Sequence, residues 1–144
     1  MGKSHFWKIQ SGEVPPPPIA QTLNFDIQKT DVEKRQLTCA FSVDDRFLNP
    51  AGKVQGGILS AMLDAVLGQT TGMMLGEDQF PPTLDLNVSF IKAAKAGKFV
   101  GVGSIVEIVD NVCYASAELF NSKNQLIARA TATMMIIHLP SHKK

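Results

Sequence analysis

Histidine is nearly absent from the interior of this 144-residue chain. His5, His138 and His142 lie near the ends, and no run of His, Cys, Asp or Glu has metal-ligand spacing. Charge is scarce too. Asp, Glu, Lys and Arg make up 19% of the chain, against about 25% in an average domain. The formal net charge is +1. Such a chain lacks the basic excess by which nucleic-acid binders and polybasic membrane-surface proteins hold phosphates, so neither partner is expected. Cysteine is limited to Cys39 and Cys113, with no Cys-x-x-Cys pair. That excludes a disulfide-dense scaffold and fits reduced core thiols in a cytoplasmic protein. The first eight residues hold no long apolar run or cleavage pattern, and Gly2 with Ser4 does not match the myristoylation motif. No cofactor motif and no internal repeat are present. The one biased segment is Pro15–Pro18.

Apolar residues make up 44% of the chain, enough for one real core at this length. The few charges are too few to coat a lone monomer generously. Residues 1–21 read as an N-terminal leader arm and residues 22–144 as a single domain. The four prolines hold polyproline II and cannot continue a helix. Before them, Phe6, Trp7 and Ile9 suit either a docked amphipathic turn or a loose arm.

From residue 22 the pattern changes. Leu23, Phe25 and Ile27 alternate with polar residues, as do Leu37, Cys39, Phe41 and Val43, which predicts a hairpin of half-buried strands. Residues 56–75 are rich in Ala, Leu and Met and predict one long helix, apolar on most sides and therefore mostly buried. An Asp, a Gln and several Gly inside it argue against a membrane span. Gly68 and Gly72 suggest either that another backbone comes close there or that the last turn of the helix is lost. Beyond it only strands are expected: 83–90, with Leu84, Leu86, Val88 and Phe90 on one face, then 99–109, 112–120 and 125–138. One buried helix with a mostly antiparallel sheet is an α+β arrangement, and the sheet must wrap the helix.

Asp64 is the only charge in that helix. A carboxylate in apolar surroundings must be paired, protonated or placed at a cleft, and a cleft carboxylate is a typical general base or nucleophile. The bland alternative is an ordinary position on a solvent-facing stripe. Gly56-Gly57 opens the helix, where the first N–H groups lack partners and carry the positive end of the dipole. Glycine lets a substrate oxygen approach them, as in an oxyanion hole, although glycine pairs also serve plain turns. Gly56 and Asp64 lie eight residues apart, about 12 Å along one helix. One carbonyl cannot sit about 3 Å from both. A site using both must draw them from two subunits.

Asn49-Pro50-Ala51-Gly52-Lys53-Val54-Gln55-Gly56-Gly57, then Ala61-Met62-Leu63-Asp64 and Thr83-Leu84-Asp85-Leu86-Asn87-Val88-Ser89-Phe90, resemble the hotdog-fold acyl-CoA thioesterases of the phenylacetate-pathway type. The resemblance covers residues 22–137. It implies a hotdog fold, a long antiparallel sheet around one central helix, in a homodimer or homotetramer. It implies that Asp64 activates water or attacks the thioester, that Gly56 donates to the thioester carbonyl, that Asn49 lies beside that carbonyl and that Thr83 positions the water. Gly57 lies beside Gly56, and Lys92, Lys95 and Lys98 form a basic turn suited to coenzyme A phosphates or simply to solvent. The family motif usually reads His-Gly-Gly, and here Gln55 replaces an imidazole that titrates near neutral pH. That departure keeps open a non-catalytic acyl-CoA binding protein. A hydratase on the same fold would need a histidine near the helix. Met62, Met73 and Met74 suit an adaptable acyl lining or a core. Asp45 and Arg46 read as a surface pair.

Overall fold

In residues 36–43 the alternation is carried out in full: Leu37, Cys39, Phe41 and Val43 are buried and the residues between them are not. A computed structural model describes residues 4–140. The Gly2 motif and His142 lie outside them. The elements run α1 (His5–Gln10), α2 (Pro18–Thr22), β1 (Asp26–Asp31), β2 (Gln36–Val43), a short 3₁₀ turn (Asp45–Phe47), α3 (Gly56–Gly72), β3 (Gln79–Phe80), β4 (Thr83–Phe90), β5 (Gly97–Val109), β6 (Val112–Asn121), β7 (Leu126–Met135) and β8 (Ile137–His138). Six strands form one antiparallel sheet in the order β1-β2-β5-β6-β7-β4. Helix α3 lies against it, touching β2, β5, β6, β7 and β4. This is the expected α+β architecture, a long sheet wrapped around one helix. No helix of the described residues is long and apolar enough to cross a membrane.

The contact between helix and sheet rests on two glycines of β5. A Cβ on Gly101 would stand 2.5 Å from Val66 Cγ2, and one on Gly103 would run into Thr70 Oγ1 and Val66. The close approach therefore occurs at sheet glycines. The helix glycines do not supply it: Gly68 has open space where a Cβ would be, and Gly72 faces Phe6 Cβ at 3.6 Å. Thr70 and Thr71 are buried in α3 without cost from orphaned hydroxyls, because they donate to the carbonyls of Val66 (2.6 Å) and Leu67 (2.9 Å).

Several boundaries differ from the sequence expectation. Residues 18–22 are helical and the first strand starts at Asp26, not at residue 22. Pro18 opens the helix, where a missing N–H costs nothing and the fixed φ is already helical. Leu23, which looked like strand, packs into the core from the end of α2. Helix α3 ends at Gly72 rather than residue 75. The last strand breaks after Met135: Ile136 N–H donates to the Asn111 carbonyl, and β8 pairs with β3 instead. Arg46 pairs with Asp44 at 3.0 Å, not with Asp45, because Asp44 caps the 3₁₀ turn and its carboxylate already accepts from Arg46 N–H. Helix α1 docks on the body: Phe6 is buried, and Trp7 Nε1 donates to the Met73 carbonyl at 3.0 Å, just past α3.

Candidate active site

Helix α3 buries one broad face through Leu59, Met62, Leu63, Val66, Leu67, Thr70 and Thr71. The opposite face stays open, with Gly57 and Asp64 exposed and Ser60, Ala61 and Gly68 half-buried. Asp64 thus lies on an open stripe of an otherwise packed helix. Its partner is Thr83, whose Oγ1 donates to Asp64 Oδ1 at 2.9 Å. The other carboxylate oxygen has no hydrogen-bond partner among the described residues.

Thr83 reaches Asp64 because β4 contains a bulge. Simple alternation puts Thr83 on the face opposite Leu84, Leu86, Val88 and Phe90. The register with β7 shifts between Thr83 and Asp85: Thr83 faces Met134 while Asp85 faces Thr133. Leu84 is the extra residue, 58% exposed. One inserted residue flips the parity, so Thr83 joins the helix face with Leu86, Val88 and Phe90. Leu84 leaves the face on which the alternation had placed it.

The N-terminus of α3 forms a second centre. Neither Gly56 nor Gly57 N–H has an acceptor among the described residues, and Gln55 as N-cap makes no side-chain capping bond. The Phe90 ring covers Gly56: a Cβ there would lie 3.2 Å from Phe90 Cζ. Gly57 faces open space. Asn49 Oδ1 is occupied, accepting from Ala51 N–H (3.0 Å) and Lys53 N–H (3.1 Å), which ties the loop before the helix. Only its amide N–H₂ is left for a ligand. Asn49 and Gln55 share an open cleft with Phe47 and Ile58.

The lysines divide. Lys95 and Lys98 line a groove of about 290 Å³ together with Lys53 and Lys123, while Lys92 is not on its lining. Among the described residues none of these four cations forms an ion pair. Val54 N–H donates to the Ala94 carbonyl at 2.8 Å, so the groove abuts the segment that leads into α3. No local pattern groups Lys53 or Lys123 with Lys95 and Lys98, because they are distant along the chain. Met62 and Met73 are fully buried core residues and line no cleft at the site; Met74 packs against the core. Among the described residues no group of three His, Cys, Asp or Glu could hold a metal.

Of the positions that the resemblance implied, the fold brings Thr83 to Asp64, whereas the bare N–H groups of Gly56-Gly57 stand apart at the start of α3. A family model described as Thioesterase superfamily matches residues 51–128, more than half of the chain. This chain belongs to the Thioesterase superfamily. A candidate esterase of Pseudomonas aeruginosa is 31% identical over 74% of this chain and 78% of its own length. A medium/long-chain acyl-CoA thioesterase of Escherichia coli is 25% identical over 83% of this chain and 85% of its own. The crystal structure of a candidate thioesterase from Ralstonia eutropha, described as phenylacetic acid degradation-related, is 39% identical with a TM-score of 0.88. It covers 91% of this chain and 98% of that one. The thioesterase described here is accordingly a thioester hydrolase of the hotdog fold.

Proposed function

We propose that this thioesterase hydrolyses acyl-CoA thioesters at a site shared by two subunits. The observation that carries the reading is the hydrogen bond between Thr83 and Asp64 on the open face of α3. Thr83 fixes one carboxylate oxygen and leaves the other to accept a proton from water. The water oxygen bonds to the thioester carbonyl carbon, its proton passes to Asp64, the C–S bond breaks, and the leaving thiolate takes that proton from Asp64, which restores the carboxylate. The same hydroxyl keeps lone pairs with which to accept from the attacking water. Charge develops on the carbonyl oxygen, and the free N–H groups of Gly56 and Gly57 at the positive end of α3 suit that charge.

Those N–H groups lie about 12 Å from Asp64 along the same helix, so the ones that serve it belong to the partner subunit. The open edge of β4 supports a dimer. Among the described residues it pairs only with β7, while Leu84, Phe90 and Ile91 are each more than half exposed along or beside it. Bare apolar edges of this kind are normally covered. The Asn49 amide N–H₂ and Gln55 stand beside the carbonyl site as hydrogen-bond donors. The groove of Lys53, Lys95, Lys98 and Lys123 suits the phosphates of coenzyme A. Lys92 is left as an outer cation of the same loop. Two free, buried thiols fit a cytoplasmic setting.

Thiol release from a panel of acyl-CoAs tests the reading, with Asp64→Asn as the control. The parent turns over and the folded variant loses at least a hundredfold in kcat. Equal turnover in both removes the mechanism. A parent that binds coenzyme A esters tightly without hydrolysing them favours the non-catalytic alternative that Gln55 leaves open. Light scattering is expected to find a dimer or tetramer, and a micromolar monomer refutes the shared site.

A further inference from the structure

The two bare N–H groups at the start of α3 are not alike. Gly57 has no heavy atom within 4 Å of where a Cβ would be. On Gly56 the tip of the Phe90 ring crowds that position, with Cζ at 3.2 Å, Cε1 at 3.3 Å and Cε2 at 3.8 Å. Phe90 is the last residue of β4, on the same face as Leu86 and Val88, which pack against the core. Backbone bonds hold the contact from both sides. Phe90 pairs with Ala128 of β7, and the next N–H, that of Ile91, donates to the Ile127 carbonyl at 2.8 Å. Toward the helix, Val54 N–H donates to the Ala94 carbonyl at 2.8 Å, which fixes the segment that enters α3. Glycine at 56 thus has a reason inside the chain, because a methyl group there would press into an anchored ring. The rest of the ring is 55% exposed and free to face a second subunit.

Strand β4 carries a contact to each centre. Thr83 at its first residue holds Asp64, and Phe90 at its last covers Gly56. Antiparallel pairing of this edge with a second copy reverses the ends, so each Phe90 would come beside the partner's Thr83. We propose that Phe90 is a positioning residue for thioester hydrolysis. Its ring keeps water off one side of the Gly56 N–H and makes that N–H, rather than the Gly57 N–H, the stronger donor to the thioester oxygen. The proposal rests on the hydrolytic reading of the site. Its physical basis is competition with solvent. A hydrogen bond to a developing charge strengthens where water, with its rival donors and high dielectric constant, is excluded. The helix dipole acts on both N–H groups alike, so the ring is what separates them. The ring tip is also its electropositive edge, which does not repel the charge that forms on the oxygen.

Two measurements test the role in the parent, Phe90→Leu and Phe90→Ala. The first is amide exchange by NMR in the ligand-free protein, corrected for the intrinsic rate of each peptide. In the parent the Gly56 N–H is expected to exchange roughly tenfold more slowly than the Gly57 N–H. Phe90→Ala closes the gap and Phe90→Leu lies between. The second is kcat and KM for the best substrate of the acyl-CoA panel. Removing a whole oxyanion donor costs about 10²–10³ in kcat, and exposing one to water is expected to cost about tenfold in Phe90→Ala. Phe90→Leu recovers part of that, and KM stays within about twofold throughout. Gly56 and Gly57 amides that exchange alike in the parent overturn the proposal without recourse to any variant. A slow Gly56 amide that survives in Phe90→Ala, with native circular dichroism, overturns it too. So does a Phe90→Ala enzyme that keeps the parental kcat and loses only in KM, because the ring then binds substrate and does not position the donor. The two readings fail separately. A parent that hydrolyses acyl-CoA while its two amides exchange alike keeps hydrolysis and refutes the role of Phe90. A parent whose Gly56 amide is slow and is released in Phe90→Ala, but which hydrolyses nothing, keeps the shielded donor and refutes hydrolysis.

Discussion

Replacing Thr83 with valine removes a hydroxyl and keeps the shape, so it isolates one hydrogen bond. That bond runs from Oγ1 to Asp64 Oδ1 over 2.9 Å. A hydrogen bond to a charged group contributes roughly 1.5–3 kcal/mol. Both residues are exposed on the single chain, so the low end, about 1.5 kcal/mol, is the appropriate figure. At 1.36 kcal/mol per factor of ten, kcat falls about tenfold in Thr83→Val. KM changes little under the proposed mechanism, in which Thr83 would orient the carboxylate and the water rather than the body of the substrate. Thr83→Ser keeps the donor and recovers most of the rate. Steady-state thiol release with one saturating acyl-CoA measures all three proteins, and thermal melts confirm equal folding. Parental kcat in Thr83→Val, or a Thr83→Ser enzyme as slow as the valine variant, refutes the positioning role.

Two further predictions concern the scaffold. Gly101→Ala overpacks the contact of α3 with β5, where the new methyl meets Val66 Cγ2 at 2.5 Å and Phe41 at 3.2 Å; it is expected to cost about 1–3 kcal/mol in urea unfolding. Val66→Ala frees that space, so the double variant should lose at least about 1 kcal/mol less than the sum, and additivity within about 0.5 kcal/mol refutes the close approach. Cys39 and Cys113 are fully buried, and burial pushes both thiols above the ordinary cysteine range, for Cys113 against partial opposition from Thr71 and Arg35. Neither should react with a disulfide reagent in the native protein at pH 8, both should react in guanidinium chloride, and rapid native labelling contradicts the packed core.

The expected fold was legible because its largest signals are local. Period-two alternation in residues 36–43 and 112–120 and the apolar run around Met62 each report their own burial. Glycine at 101 and 103 gives no such report, because its meaning lies in Val66 and Thr70, which are far away in sequence. Residues 18–22 went the other way: a proline run read as a barrier to helix turned out to start one, since the same ring that breaks a helix interior suits its first turn.

The sequence by itself determined the class of the protein, and it set Asp64 as the lone charge of its long helix, eight residues from Gly56. Composition, periodicity and an eight-residue separation are properties of the chain and survive any fold. Only the tertiary structure decided whether Thr83 meets Asp64, because that depends on one bulged residue in β4 whose register is set by pairing with β7. It also decided that Lys95 keeps company with Lys53 and Lys123, and that Phe6, Gly68 and Phe80 enclose one cavity. Contacts between residues far apart in sequence carry no mark in the local pattern. They are fixed by how the sheet wraps the helix.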